Sequence, residues 1–193
     1  MQQLSADILD IAKIESHTLI LKNEQFDVNE IISDAIVDYR NQIEKDGKNQ
    51  NECKLLYKNS GQDIFVEADK GRITQVISNL VSNAVKFTKV GTVTIAAEKV
   101  KEQDRQQVII SVKDTGTGIN PEMLPKLFTK FATKSDKGTG IGLGLFISKS
   151  IVEAHDGSIW AENNKDGKGA TFAFSMPINK QQKLISSSSL GSK

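Results

Sequence analysis

The chain has few of the residues that build a disulfide-stapled protein and none of the runs that build a membrane-spanning one. Its 193 residues include a single cysteine, Cys53, so an intrachain disulfide framework is excluded, and an inert reduced thiol on a strand is expected, as suits a reducing cytosol. No apolar run approaches the ~18–20 residues of a spanning helix, and the amino end lacks the basic start and apolar middle of a signal peptide. Neither sign of charge is in surplus. Lys and Arg total 25 and Asp and Glu 24, a formal charge of +1, which gives no global attraction to nucleic acid or to an anionic membrane. Three prolines rule out a proline-rich or collagenous chain. What remains, 38% hydrophobic and 25% charged residues, is the make-up of a globular domain with some extra helix or tail.

Hydrophobic spacing sets out the elements. Residues 4–16 read as an amphipathic helix with Leu4, Ile8, Ile11 and Ala12 on one stripe, too short to stand without a partner surface. The pattern is already under way at Met1, as expected of a segment cut from a longer chain. Phe26-Asp27-Val28-Asn29 leads into a second helix carried by Ile31, Ile32, Ala35, Ile36, Tyr39 and Ile43, which breaks near Asp46-Gly47. Short strands are expected at 53–58 and 63–67. A third helix, from Asp69 to about Phe87, has the stripe Ile73, Val76, Ile77, Leu80, Val81, Ala84 and Val85. Strands follow at 90–100 and 107–113, then a fourth helix from near Ile141 to His155, and a closing hairpin at 159–161 and 170–176 around Asn163–Gly169. Residues 181–193 read as a disordered tail.

Between the second hairpin and the fourth helix, Asp114 to Gly144 is rich in Gly, Thr, Lys and Ser, with Phe128 and Phe131 as its large apolar points. Connections of ordinary length are ~4–6 residues, so a stretch this long is a binding loop or lid. On the third helix Asn79, Asn83 and Lys86 are spaced by four and then three, which puts them on one face. An Asn amide oxygen is a hard neutral ligand suited to magnesium, and a Lys can neutralise phosphate charge; the same face could also be simply solvated. Asp114-Thr115-Gly116-Thr117-Gly118 ends a strand. There an acidic side chain can accept from an exocyclic amine and glycines let backbone pass a flat ring, although a plain turn has the same letters. Gly138-Thr139-Gly140-Ile141-Gly142-Leu143-Gly144 opens a helix, where free N–H groups and the positive helix end can hold phosphate oxygens. It lacks the Lys and Ser/Thr of a P-loop and the preceding strand of a dinucleotide fingerprint.

Taken in order, the Asn-bearing helix, the Asp-x-Gly-x-Gly run, the paired phenylalanines, the glycine-rich lid and Gly167-Lys168-Gly169-Ala170-Thr171-Phe172 resemble the ATP-binding catalytic domain of sensor histidine kinases. That superfamily also includes the DNA gyrase, heat-shock chaperone and mismatch-repair ATPases. The resemblance covers residues 22–178. It implies an α+β fold, a two-layer Bergerat-type sandwich with three main helices over one mixed, largely antiparallel sheet. Residues 22–180 would form the catalytic domain, and residues 1–21 the end of a dimerisation helix and its linker.

The same resemblance implies roles. Asn83 ligates magnesium, and Asn79 and Lys86 hold the triphosphate of ATP. Asp114 reads the adenine amine, with Gly116, Gly118 and Ile119 lining the ring. Phe128 and Phe131 anchor the lid, whose Gly138, Thr139, Gly140, Ile141, Gly142, Leu143 and Gly144 face the phosphates, with Lys134 and Lys137 as candidates for the outer ones. Gly144 stands where the family often has Ala. Thr171 would support Asp114 through its hydroxyl, in a box that includes Gly167 and Gly169. The implied partners are a phosphoacceptor histidine helix, a response-regulator receiver domain and, for a dimeric parent that could be membrane-anchored, a second copy.

Neither histidine fits the acceptor. His17 lies between Ser16 and Thr18 rather than before an acidic residue, and His155-Asp156, which mimics the pair, falls at the end of the fourth helix, where capping or surface packing is expected. A hydrolytic ATPase of the chaperone or gyrase type needs an acidic residue to activate water, yet the nearby positions are Gln75 and Asn79. A serine-directed kinase of the anti-sigma type lacks a preceding dimerisation helix. A module that has lost ATP is disfavoured by the intact Asn83, Asp114 and glycines.

Overall fold

Val93, Ile95 and Ala97 on one strand and Val108, Ile110 and Val112 on the next are buried, while the residues between them are more exposed. That period of two means one sheet with one covered face. A computed structural model describes residues 2–45, 53–59, 61–102, 105–132 and 142–178. In chain order it contains α1 (Gln2–Glu15), β1 (Glu24–Asp27), α2 (Val28–Lys45), β2 (Cys53–Lys58), β3 (Phe65–Ala68), α3 (Lys70–Phe87), β4 (Gly91–Glu102) and β5 (Arg105–Asp114). A short 3-10 turn (Leu124–Lys126), α4 (Gly144–Ala154), β6 (Ser158–Asn163) and β7 (Ala170–Pro177) follow.

The main sheet runs β2-β4-β5-β7-β6. Only β2 and β4 are parallel, and the other neighbours are antiparallel. Helices α2, α3 and α4 pack against it around a core that includes Ile31, Ile32, Ile73, Ile77, Leu80, Ile151 and Phe174. This is the expected α+β two-layer sandwich. The four-residue β1, which pairs with β3 as a separate small sheet, was not among the expected elements. Its Phe26 seeds the core, and Asp27 caps α2 by accepting the N–H of Asn29 at 3.0 Å.

Helix α3 is fixed at its start by one aspartate. Asp69 accepts the N–H of Arg72 at 3.0 Å and the N–H of Lys22 at 2.9 Å. Its own N–H donates to Nε2 of His155 at 3.0 Å, while Nδ1 of that ring meets the Ile151 carbonyl at 2.8 Å. His155 is therefore a buried tie between the end of α4 and the start of α3, with its proton on Nδ1. Surface packing, one of the two expectations for this residue, does not hold.

Helix α1 docks by a different face from the one its periodicity suggests. Ile8 and Leu9 are 54% and 60% exposed, and Asp10, Ile11 and Ile14 face the rest of the chain. Asp10 is salt-bridged to Arg72 at 2.7 Å and accepts from the Gln75 amide at 2.9 Å. A carboxylate that meets two donors can be buried, and it rotates the helix away from the orientation its apolar residues alone would choose. Glu15, at the end of α1, pairs with Lys130, whose Nζ lies 5.1 Å from the Phe146 ring centroid.

At the far edge of the core, the β6–β7 turn crosses the end of β5 closely. A Cβ on Gly169 (φ +73°) would stand 2.1 Å from the Asp114 carbonyl oxygen, whereas one on Gly167 (φ +75°) would meet nothing within 4 Å. Gly167→Ala is expected to cost about 1–2 kcal/mol for the left-handed backbone alone, and Gly169→Ala a further ~1–3 kcal/mol of overpacking; equal costs in urea unfolding would contradict the close approach. Asp69→Ala is expected to cost about 1–2 kcal/mol at pH 7 through loss of the cap. Burial pushes the Asp69 carboxyl up, but the N–H groups of Lys22 and Arg72 and the Arg72 charge outweigh it and hold its pKa below the ordinary value. The Asp69 contribution is thus complete above about pH 3.9 and fades as pH falls through the lower folded value. A gap between wild type and variant that widened on acidification would contradict this.

Candidate functional site

The polar face of α3 connects two fixed points. At one end, the Asn79 amide donates to the Ser148 hydroxyl at 2.8 Å, and a Cβ on Gly144 would stand 2.4 Å from Asn79 Oδ1. Glycine at 144 therefore does more than permit helix packing, because an alanine would displace the Asn79 amide. At the other end, a Cβ on Gly116 would stand 2.3 Å from the Phe87 carbonyl oxygen, so the chain after β5 lies directly on the end of α3. From Asn79 to Phe87 the helix rises about 12 Å. Between them Asn83 is half-buried and its side chain makes no hydrogen bond with another described residue, and Lys86 is exposed with its Nζ 5.4 Å from the Phe87 ring centroid.

Asp114 is the best-determined group of the site. It is 3% exposed, and its Oδ1 accepts the N–H of Gly116 at 2.8 Å and the N–H of Ala170 at 3.3 Å. Among the described residues these bonds all fall on Oδ1, which leaves Oδ2 as the acceptor with capacity for a ligand. The segment that follows is held just as closely. Asn163 accepts the Ile119 N–H at 2.7 Å and donates to the Ile119 carbonyl at 2.8 Å. A Cβ on Gly118 (φ +70°) would stand 2.9 Å from Asn163 Oδ1, so the left-handed backbone there is needed by the protein's own packing. Burial first, and then the negative Asp114, push the Cys53 thiol pKa up, in keeping with an unreactive cysteine.

Thr171 does not reach the Asp114 carboxylate. Lys113 pairs with Thr171 across the sheet and Val112 with the buried Phe172, so Thr171 points to the face opposite Asp114. Its hydroxyl donates to Asn164 Oδ1 at 2.7 Å, and the Asn164 amide donates to the Asp114 carbonyl at 2.7 Å. The residue beside the carboxylate is Ala170, which contributes its backbone N–H.

Of the aromatic pair, only Phe128 packs against the core; Phe131 is 65% exposed with φ +60°. The backbone of Phe131 and Ala132 abuts Gly142, where a Cβ would stand 2.9 Å from both. This left-handed glycine (φ +74°) delays α4, which starts at Gly144 rather than near Ile141. Leu143, at its N-cap, offers no side-chain acceptor to the first turn, a helix end suited to an anion. Lys134, Lys137, Gly138, Thr139, Gly140 and Ile141 lie outside the described residues. Among the described residues no group of three or more His, Cys, Asp or Glu could hold a metal ion.

Sequence reading missed Asn163, Asn164 and Ser148. In a Lys- and Gly-containing turn the two asparagines look like ordinary turn residues, and a serine in a helix carries no signal of its own.

Residues 68–180 match the family model of histidine kinase-, DNA gyrase B- and HSP90-like ATPases. Sensor histidine kinase WalK of Bacillus subtilis (strain 168) is 33% identical over 186 residues, covering 94% of this chain and 29% of its own length. The catalytic domain of histidine kinase ThkA is 34% identical with a TM-score of 0.68, covering 81% of this chain and 95% of that one. In a further structure, with the response regulator protein TrrA, ThkA is 30% identical with a TM-score of 0.68, over 92% of this chain and 49% of that one. Full-length ShkA in complex with AMPPNP is 26% identical with a TM-score of 0.78, over 92% of this chain and 36% of that one. The chain thus spans less than a third of the curated relative's length. With its sheet, its Asn-bearing helix and its buried strand-end aspartate, the chain belongs to the histidine kinase-, DNA gyrase B- and HSP90-like ATPase family, as the ATP-binding catalytic domain of a sensor histidine kinase.

Proposed function

We propose that this domain holds Mg–ATP as the phosphoryl donor of a two-component kinase, and that the γ-phosphoryl group passes to a histidine on a helix outside these residues. The observation that carries the reading is the Asp114 carboxylate, buried, with Oδ1 tied to two backbone N–H groups. An acceptor held in this way selects a base with an exocyclic amine. Asp114 then reads adenine, with Gly116, Gly118 and Ile119 along the ring, and Thr171 acts on it only through Asn164.

The phosphates belong further back along α3, toward α4. Asn79 and Lys86 flank the triphosphate, and the run Gly138, Thr139, Gly140, Ile141, Gly142, Leu143 and Gly144 leads to the free helix end, with Lys134 on the outer phosphates. Asn83 would offer a magnesium ion one hard oxygen, a ligand that suits a metal bound together with phosphates. Bound there, magnesium neutralises charge on the transferring group. The chain's own task is to position the donor, the larger part of phosphoryl-transfer catalysis. Hydrolysis is disfavoured, because the nearby positions Gln75 and Asn79 are not acidic, and Gln75 is engaged with Asp10 and Arg72 and Asn79 with Ser148.

Two features favour an acceptor on a companion helix. His17 is an exposed residue that ends α1 in the left-handed region (φ +53°), and both ring nitrogens of His155 are occupied inside the fold. The exposed Ile8 and Leu9 give α1 an apolar face for the helices of a dimeric parent. The ThkA–TrrA complex supports a receiver-domain partner. Among the described residues no helix is long and apolar enough to cross a membrane, and we place the domain in the cytoplasm, where ATP is supplied, whether or not its parent is anchored.

Asp114→Asn is expected to weaken Mg–ATP binding by about tenfold or more, since a hydrogen bond to a charged group is worth ~1.5–3 kcal/mol; calorimetry giving equal affinities would exclude the adenine assignment. Asn83→Ala should raise the magnesium concentration needed for tight ATP binding and leave magnesium-free binding unchanged. Incubated with γ-labelled Mg–ATP, this chain should acquire no acid-labile phosphate until an upstream acceptor helix is added; label on the chain alone would contradict the proposal.

A further inference from the structure

The β5–β7 ladder ends at Lys113 and Thr171. Asp114 is therefore the first residue beyond it, and its carbonyl needs a partner from elsewhere. Asn164, in the β6–β7 turn, supplies that partner. It is 9% exposed, and its amide donates to the carbonyls of Asp114 at 2.7 Å and Lys168 at 2.6 Å. Its Oδ1 accepts the Thr171 hydroxyl at 2.7 Å. Both amide protons are thus used, and the hydroxyl decides which way the amide faces.

The same hairpin also grips the side chain of Asp114, through the Ala170 N–H on Oδ1. Main chain and carboxylate are held from one turn, with the backbone of Asn164 locked to it as well: its N–H donates to the Gly169 carbonyl at 3.1 Å and its carbonyl accepts from Gly167 at 3.0 Å. We propose that Asn164, oriented by Thr171, is a positioning residue for base selection: it sets the Asp114 main chain so that the free carboxylate oxygen meets an exocyclic amine. This rests on the reading of Asp114 as the adenine acceptor. The residue acts through Asp114 and touches no nucleotide.

The test compares Mg–ATP with Mg–ITP, the inosine nucleotide that carries an oxygen in place of the amine, on the whole chain. Wild type is expected to prefer ATP. Asn164→Asp keeps the shape but turns two donors into a carboxylate facing two carbonyls, and Thr171→Val removes the orienting hydroxyl. Each should cut the ATP-over-ITP preference by about tenfold, with ITP affinity nearly unchanged, and Thr171→Ser should restore the preference. A merely structural role would weaken both nucleotides by the same factor, and that result, or a preference surviving in both variants, overturns the proposal alone. Equal affinity of wild type for ATP and ITP would instead overturn the Asp114 reading and this proposal with it. If Asn164→Asp does not fold, the Thr171→Val and Thr171→Ser pair decides the matter.

Discussion

Backbone comes so close to backbone around Asp114 that no Cβ fits at Gly116 or Gly169. The end of α3 presses through the Phe87 carbonyl from one side, and the β6–β7 turn crosses from another. From β4, Thr92 accepts the Thr115 N–H and donates to the Thr115 hydroxyl. Three elements thus meet around Asp114–Gly116, and the carboxylate itself is met by main-chain N–H groups, those of Gly116 and Ala170. Main-chain contacts have few alternative arrangements, so the acceptor is preorganised. The rest of the site can be located from it. The Phe87 contact fixes where α3 ends, α3 sets the direction of its Asn79–Asn83–Lys86 face, and Asn79 meets the first turns of α4 through Gly144 and Ser148.

Hydrogen bonding is unevenly distributed along the proposed site, in a way that would suit a phosphoryl donor. The end proposed for the base is tied at Asp114 and, through Asn163, at Ile119. The end proposed for the phosphates is bordered by left-handed backbone at Phe131 and Gly142 and by a helix start with no side-chain cap. Such an arrangement would hold a base closely while one nucleotide pose serves an incoming acceptor. Helix α1 attaches to the same face of α3, nearer its start, through the Asp10–Arg72–Gln75 cluster, whose Arg72 also belongs to the capped first turn of that helix. The start of α3 is therefore where α1 and Lys22, the first residue of the proposed catalytic domain, join the rest of the fold.

Elements with a long, clean period were legible from the amino acids: α3, the β4–β5 hairpin and α4 depend on local burial patterns that any solvent-facing domain must follow. Interactions set by a distant partner were not. Strand β1 is only four residues long and exists because β3 pairs with it. The stripe expected on α1 counted apolar residues, and the buried Asp10 follows from Arg72, 62 positions away. The order of motifs singled out Asp114 and its glycines, but not one reason for the glycines, which is room for Phe87 and Asn163. Thr171 was expected to support Asp114 through its hydroxyl, but motif position carries no strand parity: the register with Lys113 puts Ala170 beside the carboxylate, and the Thr171 hydroxyl reaches Asn164. Asn163 and Asn164 were unreadable for a similar reason: turn chemistry explains them equally well until their partners across the turn are known.

The central claim is that one nucleotide lies along α3 with its base at Asp114 and its phosphates toward α4. Amide chemical shifts of the isotope-labelled chain, followed as Mg–ATP is added, test it most directly. The account predicts saturable shifts at Gly116 and Ile119, at Asn79 and Asn83 and at Leu143 and Gly144, with Thr94, Ser111 and Ala173 on the sheet face away from the helices unmoved. Shifts confined to that sheet face, or saturation that leaves Gly116 and Ile119 unchanged, would contradict it.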